Sequence, residues 1–595
     1  MIAYLILGVV NGLSYALLAL GLVLVYKAGR FLNFAHAQLG VLSALLLGKL
    51  VLDWHVPWLV AFPLAIGAGA VVGATTEVIV IRRLAGRSRI SLLIATIGIS
   101  QILLALTYWE FLGPNRKRLV IKGYPLPFHA AIDVGALRLG SQHILIVVLV
   151  PLLALVLAYV LHQTLIGKAI RAAASNPEAA GLAGISVRRL STIAWAVAGG
   201  FAAISAILQA PGQAAFDTEA LGPSLLLRAL GAAAIGGFTS LPAAFIGGIA
   251  LGVLESIVLD LTGDAGAAQA WMLAAILVAL VIRGRTLTAA TDSSTERIEV
   301  GRGPTIAPAR LRRRVIVRHQ RTLLIIAGGF IAVVAPWLPI WQSSGKQFLL
   351  TLTIVFALVA VSLTVLTGWA GQVSLGHFAF VGTGALIGAR LLGNGWSLPA
   401  TILMCGALGS GLALLIGMPA LRLSGLTLAV TTLGFAVVGP SWLFRQPWFA
   451  PAVTSVAPPR VAMIGAIDSP RAVYYCSVCA LALALIAASR LRRTIPGRLM
   501  LAVRDNPSAT ASIGFSPTSV KLSVFAVSGF IATAAGVLWL AAWRSVSLEL
   551  LPAQQSLLML SIPVVGGIAS LPGGVLGAVA IFGLPALTAD WTHSI

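Results

Sequence analysis

Two stretches decide how the chain reads: Gly167–Ile185, GKAIRAAASNPEAAGLAGI, and Gly497–Phe515, GRLMLAVRDNPSATASIGF. Asn176 and Asn506 lie 330 residues apart, as do Pro177 and Pro507, and Gly184 and Gly514. Each stretch is polar and basic and sits between apolar runs. Asn is a good helix N-cap, and Pro suits the first helical position, where a missing N–H costs nothing. Glu178 falls in the first turn, where the helix dipole favours a negative charge. Gly184 supplies a C-terminal stop. The pattern predicts a helix of about two turns outside the bilayer in each copy, with Ser186 and Ser516 capping the apolar helix that follows. One copy alone reads as an ordinary capped loop helix. Two copies at a fixed offset mark an internally duplicated fold.

The whole composition agrees. The chain has 595 residues, of which 10% are charged, against about 25% in soluble domains. Its mean hydropathy is +0.99. Apolar runs long enough to span a bilayer recur along it, so the expected fold is an all-α polytopic membrane protein of roughly 16 membrane segments. The formal charge of +23 collects in loops, as the positive-inside rule requires of cytoplasmic segments, and does not point to nucleic acid. Cys405, Cys476 and Cys479 are the three cysteines. Cys476 and Cys479 lie in an apolar run with no second Cys or His pair, so no metal site is expected. The Gly-Lys pairs at 48–49, 167–168 and 345–346 lack the Ser or Thr of a phosphate-binding loop. The chain is therefore expected to bind no cofactor and to be no ATPase.

Taken in order, the first apolar run ends at Lys27 and Arg30, which places the N-terminus outside. The stretch 29–40, GRFLNFAHAQLG, opens the second segment. The arginines at 82, 83, 87 and 89 read as cytoplasmic, 110–142 as an external loop, and the turn with Asp217 and Glu219 as external. Residues 284–321 form a basic, Ser/Pro/Gly-rich cytoplasmic linker whose expected neighbour is an anionic lipid surface. After an extra segment at about 322–341 the second half retraces the first. AGQVSLGHFAF (370–380) resembles AGRFLNFAHAQ (28–38) with one gap, VTTLG (430–434) matches IATIG (94–98), and GGIASLP (566–572) matches GGFTSLP (236–242). The expected domains are two homologous halves, 1–283 and 322–595, lying parallel in the membrane. The second is expected to lack a last helix.

Several polar residues stand out inside apolar surroundings. His36 and His377 occupy nearly corresponding places, with Asn33, Gln372 and Ser374 beside them. They read either as polar contacts in a transport path or gate, or as helix-start residues that satisfy backbone and neighbouring groups. Gly236, Gly237, Gly566 and Gly567 read either as hinges of a gate or as tight turns between helices. Glu77, near the cytoplasmic arginines, is expected to form an interfacial ion pair. Arg228 and Glu255 lie in or near apolar segments, where ionisable groups face a protein interior or a cavity. Glu255 has Pro585 as its counterpart, which argues against a symmetric site.

These residues together resemble the inner-membrane permeases of ABC importers, and in particular the branched-chain amino acid permease pair. PEAAGLAG at 177–184 carries EAA followed three residues later by Gly184, like the loop by which importer permeases dock onto their ATPases. LNFAHAQ resembles the H-type permease signature, and GQVSLGHFAF that of the M-type. The resemblance covers nearly the whole chain and implies a natural fusion of the two subunits, set in a bacterial inner membrane. It implies two cytoplasmic ATPase partners, a periplasmic substrate-binding protein, and a branched-chain or related small amino acid as substrate. Asn176, Pro177, Glu178, Ala179, Ala180 and Gly184 would form one coupling loop, and Asn506, Pro507, Ala509 and Gly514 the other. The second loop lacks the Glu, so the two grips are expected to be unequal. Urea or a short amide is the alternative substrate, and an ion-coupled secondary transporter the alternative class.

Overall fold

A computed structural model describes residues 2–84, 89–108, 125–128, 131–134, 137–212, 220–292, 326–341, 343–421, 425–449 and 469–588. Among these, twelve helices are long and apolar enough to cross a membrane, and six shorter apolar helices accompany them. The first half runs α1 (Ile2–Gly29), α2 (His36–Leu52), α3 (Trp58–Thr76) and α4 (Arg89–Tyr108). A small antiparallel hairpin follows, β1 (Ala131–Val134) with β2 (Leu137–Gly140), in which Ala131 stands opposite Gly140. Then come α5 (Ser141–Gln163), α6 (Leu165–Ser175), α7 (Pro177–Leu182), α8 (Val187–Gln209), α9 (Leu225–Ile235), α10 (Leu241–Thr262) and α11 (Ala265–Asp292).

The second half has α12 (Ser344–Leu363), α13 (His377–Gly393), α14 (Leu398–Leu421), α15 (Gly425–Ser441) and α16 (Pro470–Arg493). It continues through α17 (Ile495–Asp505), α18 (Pro507–Ser512), α19 (Pro517–Trp543), α20 (Ala553–Gly566), α21 (Leu571–Ala578) and α22 (Leu584–Thr588).

The chain packs as two compact units. One comprises Met1–Ser293, Arg422–Trp442 and Pro552–Leu558, the other Ser294–Leu421, Leu443–Leu551 and Met559–Ile595. Helix α15, which belongs to the second half by sequence, therefore sits in the first unit. There it packs on α9 and α11, with Gly434 under Leu273 and Gly266 under the Ser441 carbonyl. In the first unit α1 is enclosed: every residue from Gly12 to Tyr26 is buried. In the second, α12 is buried throughout from Val355 to Leu363. Helices apolar all round are the ones a bundle can bury all round. By contrast α5 leaves Val148, Leu152, Leu155 and Tyr159 more than half exposed, which suits a face turned to lipid. Helices α1 and α10 meet through small residues. A Cβ on Gly12 would lie 2.6 Å from Ile249 Cα, and one on Gly248 2.6 Å from Ala16 Cα. Such stripes let helices approach closely where lipid supplies no hydrophobic drive.

Some local readings change. Residues 30–35 do not open the second helix; they form a buried non-helical crossing between α1 and α2. Side chains satisfy its backbone: Ala35 N donates to Asn33 Oδ1 (3.0 Å) and Phe34 N to Thr96 Oγ1 (3.2 Å). The basic stretch before Asn176 is helical as α6, with Gly167 and Ile170 as its buried face. Ser516 accepts from Ser519 N, but Ser186 makes no side-chain cap. Pro517 at the first helical position fixes the entry in the second copy, whereas Val187 does not. Residues 284–292, assigned to the linker, continue α11. Of the segment expected at 322–341, the described residues form a helix over Ile326–Trp337, ended by Pro336 and Pro339, and residues 322–325 lie outside the described residues. Residues 109–124, the turn with Asp217 and Glu219, and the linker from 293 to 321 lie outside the described residues.

Candidate coupling loops and the junctions they meet

Both candidate loops are built alike. In the first, Asn176 Oδ1 accepts from Glu178 N (3.1 Å) and Ala179 N (3.0 Å), and Pro177 occupies the first helical position of α7. Asn176, Pro177, Glu178 and Ala179 are exposed, while Ala180 is buried and anchors the helix. Gly184 takes φ +79°, a conformation that only Gly adopts freely. In the second, Asn506 Oδ1 accepts from Ala509 N (2.9 Å), Pro507 opens α18, and Gly514 takes φ +90°. Thr510 is the buried anchor, and its hydroxyl returns to Asn506 O (2.9 Å). Thr164 and Thr494 mark the sharp corner ahead of α6 and α17. A Cβ on Gly167 or Gly497 would collide there with the backbone of the preceding membrane helix.

The sequence does not single out the apolar tips. Leu182 is 92% exposed at the end of α7, and Ile513 is 66% exposed at the end of α18. A large aliphatic side chain in a polar loop was the available signal.

In each unit the loop helix meets the break after the first long helix. Arg30, at φ +56°, reaches from the break to Ala174 O in the last turn of α6 (Nη2···O 2.7 Å). In the second unit Arg504 on α17 reaches Gly368 O (Nη1···O 2.7 Å). The Gly-Gly turns pack on the same breaks. Tyr26 and Phe238 have ring centroids 5.4 Å apart, and Trp369 Nε1 donates to Ala569 O at 3.2 Å. Gly237 and Gly567 have positive φ. Gly236 has room for no side chain against Ala244, and Gly566 none against Gly573. The turns end in Ser caps: Ser240 accepts from Ala243 N and Ser570 from Gly573 N.

The break residues turn inward. Asn33, His36, Gln372, Ser374 and His377 are all buried. His36 Nε2 lies 3.1 Å from Leu18 O. His377 is held on both ring nitrogens, Nδ1 by Ser374 Oγ (2.9 Å) and Nε2 by Ser362 Oγ (3.0 Å) and Ser528 Oγ (2.8 Å). Among the described residues Asn33 Nδ2 and both amide atoms of Gln372 have no partner.

Glu77 pairs with Arg82 (3.0 Å) and accepts from Thr192 (2.7 Å). Arg228 and Glu255, 27 residues apart in sequence, are joined by the fold. Arg228 Nη2 meets Glu255 Oε1 at 2.6 Å, and Tyr15 OH donates to Glu255 Oε2 at 2.8 Å. Among the described residues no group of three or more His, Cys, Asp or Glu side chains is placed to hold a metal ion.

The model of the branched-chain amino acid transport system / permease component family matches the chain twice, over residues 4–282 and 347–594. The chain belongs to that family. It is a multi-pass membrane protein with two permease units in one polypeptide. The high-affinity branched-chain amino acid transport system permease protein LivM of Escherichia coli is 30% identical over 294 residues, 44% of this chain and 67% of that protein. BraD of Pseudomonas aeruginosa is 29% identical over 269 residues, 43% of this chain and 86% of its own length. LivH of Salmonella typhimurium is 27% identical over 263 residues, 42% and 83%. H-named and M-named relatives thus each account for less than half of the chain, as a fusion of the two permease types requires. No solved structure matches the chain.

Proposed function

We propose that this chain forms the pore of an ABC importer, carrying branched-chain or related small amino acids inward across a bacterial inner membrane. ATP is hydrolysed by separate cytoplasmic ATPase subunits, and a periplasmic binding protein delivers the substrate. The chain itself holds no cofactor. One observation carries the reading: two capped, exposed helices, α7 and α18, recur 330 residues apart in the two matches to a permease family.

In this reading Asn176–Gly184 and Asn506–Gly514 are the docking elements. Leu182 and Ile513 are the apolar contacts that an ATPase groove covers, and Glu178 is present in one loop only. Asn33, His36, Gln372, Ser374 and His377, with Gly236, Gly237, Gly566 and Gly567, form the parts of the gate that docking must move. The names of LivM, LivH and BraD support the substrate class.

The test is uptake of labelled leucine into proteoliposomes holding this chain, its cognate ATPases and its binding protein. ATP-dependent leucine accumulation, lost in Gly184→Pro together with ATPase association, is the expected result. Transport of urea but not leucine would keep the importer and change the substrate. Leucine uptake driven by an ion gradient without any ATPase would overturn the reading.

A further inference from the structure

The breaks and loop helices of the two units can be superposed by residue number. His36 and His377 lie 341 apart, and so do the positive-φ residues Arg30 and Gly371. From the positive-φ residue to the histidine the two stretches have the same length, and the one gap between them falls ahead of the positive-φ residue. On the loop side the offset is 330, so Ala174 corresponds to Arg504. At these two facing positions the first unit has Arg and Ala, and the second has Gly and Arg. The arginine has changed sides while the contact has stayed.

In the first unit Arg30 stands on the break and donates to Ala174 O, one of the carbonyls that the end of α6 leaves without a helical partner. In the second, Arg504 stands on α17 and donates to Gly368 O, at the end of the turn that closes α12. Gly371 leaves room for it: a Cβ there would lie 2.8 Å from Arg504 Cγ. Asp505 holds the Arg504 guanidinium from the other side, Oδ1 to Nε at 2.8 Å. A cation over exposed carbonyls at a helix C-terminus is favourable whichever helix carries it.

We propose that Arg30 and Arg504 are the residues that pass movement of the docking helices to the helix breaks of the gate. The proposal rests on the importer reading above. Each arginine bridges the position two residues before the capping Asn of a docking helix to a break followed within six or nine residues by a buried histidine. The same break packs on the Gly-Gly turn in each unit. Movement at α7 or α18 therefore reaches break and turn through one guanidinium. Each is a positioning residue, acting through the break it holds.

The swap supplies its own test. Arg30→Gly removes the tether without strain, because Gly accepts φ +56°. Arg30→Gly/Ala174→Arg moves the guanidinium in the first unit to the side it occupies in the second, with Ser175 standing where Asp505 does. The full chain is reconstituted with its ATPases and binding protein, and leucine imported per ATP hydrolysed is measured. In parallel, amide exchange over 172–184 is followed in the chain alone in nanodiscs. Arg30→Gly is expected to raise exchange and to lower leucine per ATP by about fivefold or more while hydrolysis persists. The double variant is expected to restore both.

If exchange is unchanged in Arg30→Gly, the tether is wrong. If the double variant restores exchange but not leucine per ATP, the arginine is a staple and transmission is refuted. If wild type binds no ATPase in the first place, the importer reading fails, and the proposal falls with it for that separate reason.

Discussion

His36 and His377 stand at the same place in two halves of one chain and are held by different chemistry. Ser362 and Ser528 face His377 Nε2, and Ser374 faces its Nδ1. By the offsets of 341 and 330, Gly21 and Ala198 stand where the first two serines do. A Cβ on Gly21 would lie 2.8 Å from His36 Nε2 and 3.4 Å from Ala198 Cα. One histidine is fixed by hydroxyls and the other by close packing and one carbonyl. The duplicated fold thus keeps the shape of the break and leaves its polarity free to vary. The arginine swap beneath it follows the same rule.

The largest difference is charged. Arg228, Glu255 and Tyr15 form a closed group in the first unit, with the Arg228 guanidinium 5.3 Å from the Tyr15 ring. The corresponding positions are Leu558, Pro585 and Phe356, and Phe356 packs on Phe582 with centroids 4.2 Å apart. Arg228 and Glu255 side chains are only 13% and 18% exposed, so a lone survivor would be a desolvated charge. Arg228→Leu or Glu255→Leu alone should destabilise the protein by about 3–5 kcal/mol, and the double Leu variant by much less. Thermal unfolding of the full chain in detergent reads this directly. A double-variant loss equal to the sum of the two single losses would mean that the two charges are not coupled, and that the halves differ less than their contacts indicate.

That triad also marks where sequence reading stopped. Asn176, Pro177 and Gly184 could be interpreted because capping acts between residues two to eight apart. The duplication was visible because each polar motif recurs at nearly the same spacing. Arg228 and Glu255 are 27 residues apart, on either side of the Gly-Gly turn, and Tyr15 is 240 from Glu255. Their meeting depends on how α1, α9 and α10 pack. Helix α15 shows the same limit. VTTLG identified it as the partner of α4, but a helix apolar on all faces carries no periodic signal naming its neighbours. Its place among α9 and α11 could not be read from its own residues. The break at 30–35 was hidden for another reason: its residues are as apolar as a helix, and the backbone is satisfied by Asn33 and by Thr96 from a distant segment.

The histidine comparison can be sharpened by exchanging what surrounds each ring. Gly21→Ala adds a methyl with no space for it and should cost about 1–3 kcal/mol through overpacking. Ser362→Ala leaves His377 Nε2 with Ser528, so the loss should be nearer 1 kcal/mol. The two variants are compared by thermal unfolding against a common wild type. If Ser362→Ala is the worse, the hydroxyls rather than the packing fix the break, and the first unit must hold its histidine by something other than Gly21 and Leu18.

The smallest expected difference lies in the caps. Asn176 Oδ1 receives two N–H groups, from Glu178 and Ala179, whereas Asn506 Oδ1 receives that of Ala509. Removing a capping side chain typically costs about 1 kcal/mol. Asn176→Ala should therefore loosen α7 by roughly that amount, and Asn506→Ala should loosen α18 by less. Thr510 works in the same direction, since its buried hydroxyl bonds to Asn506 O and survives the substitution. The first helix has Ala180 in that anchoring place and no such bond from its side chain. Amide exchange across 177–182 and 507–512, followed in each variant, separates the two. A larger rise at α18 than at α7 would show that the threonine anchor adds little and that the Asn geometry alone does not rank the caps. Glu178 would then be the remaining local difference between the helices, through its charge in the first turn of α7. Asn176→Ala repeated in a Glu178→Gln background isolates that contribution, because the mutation then compares two uncharged first turns.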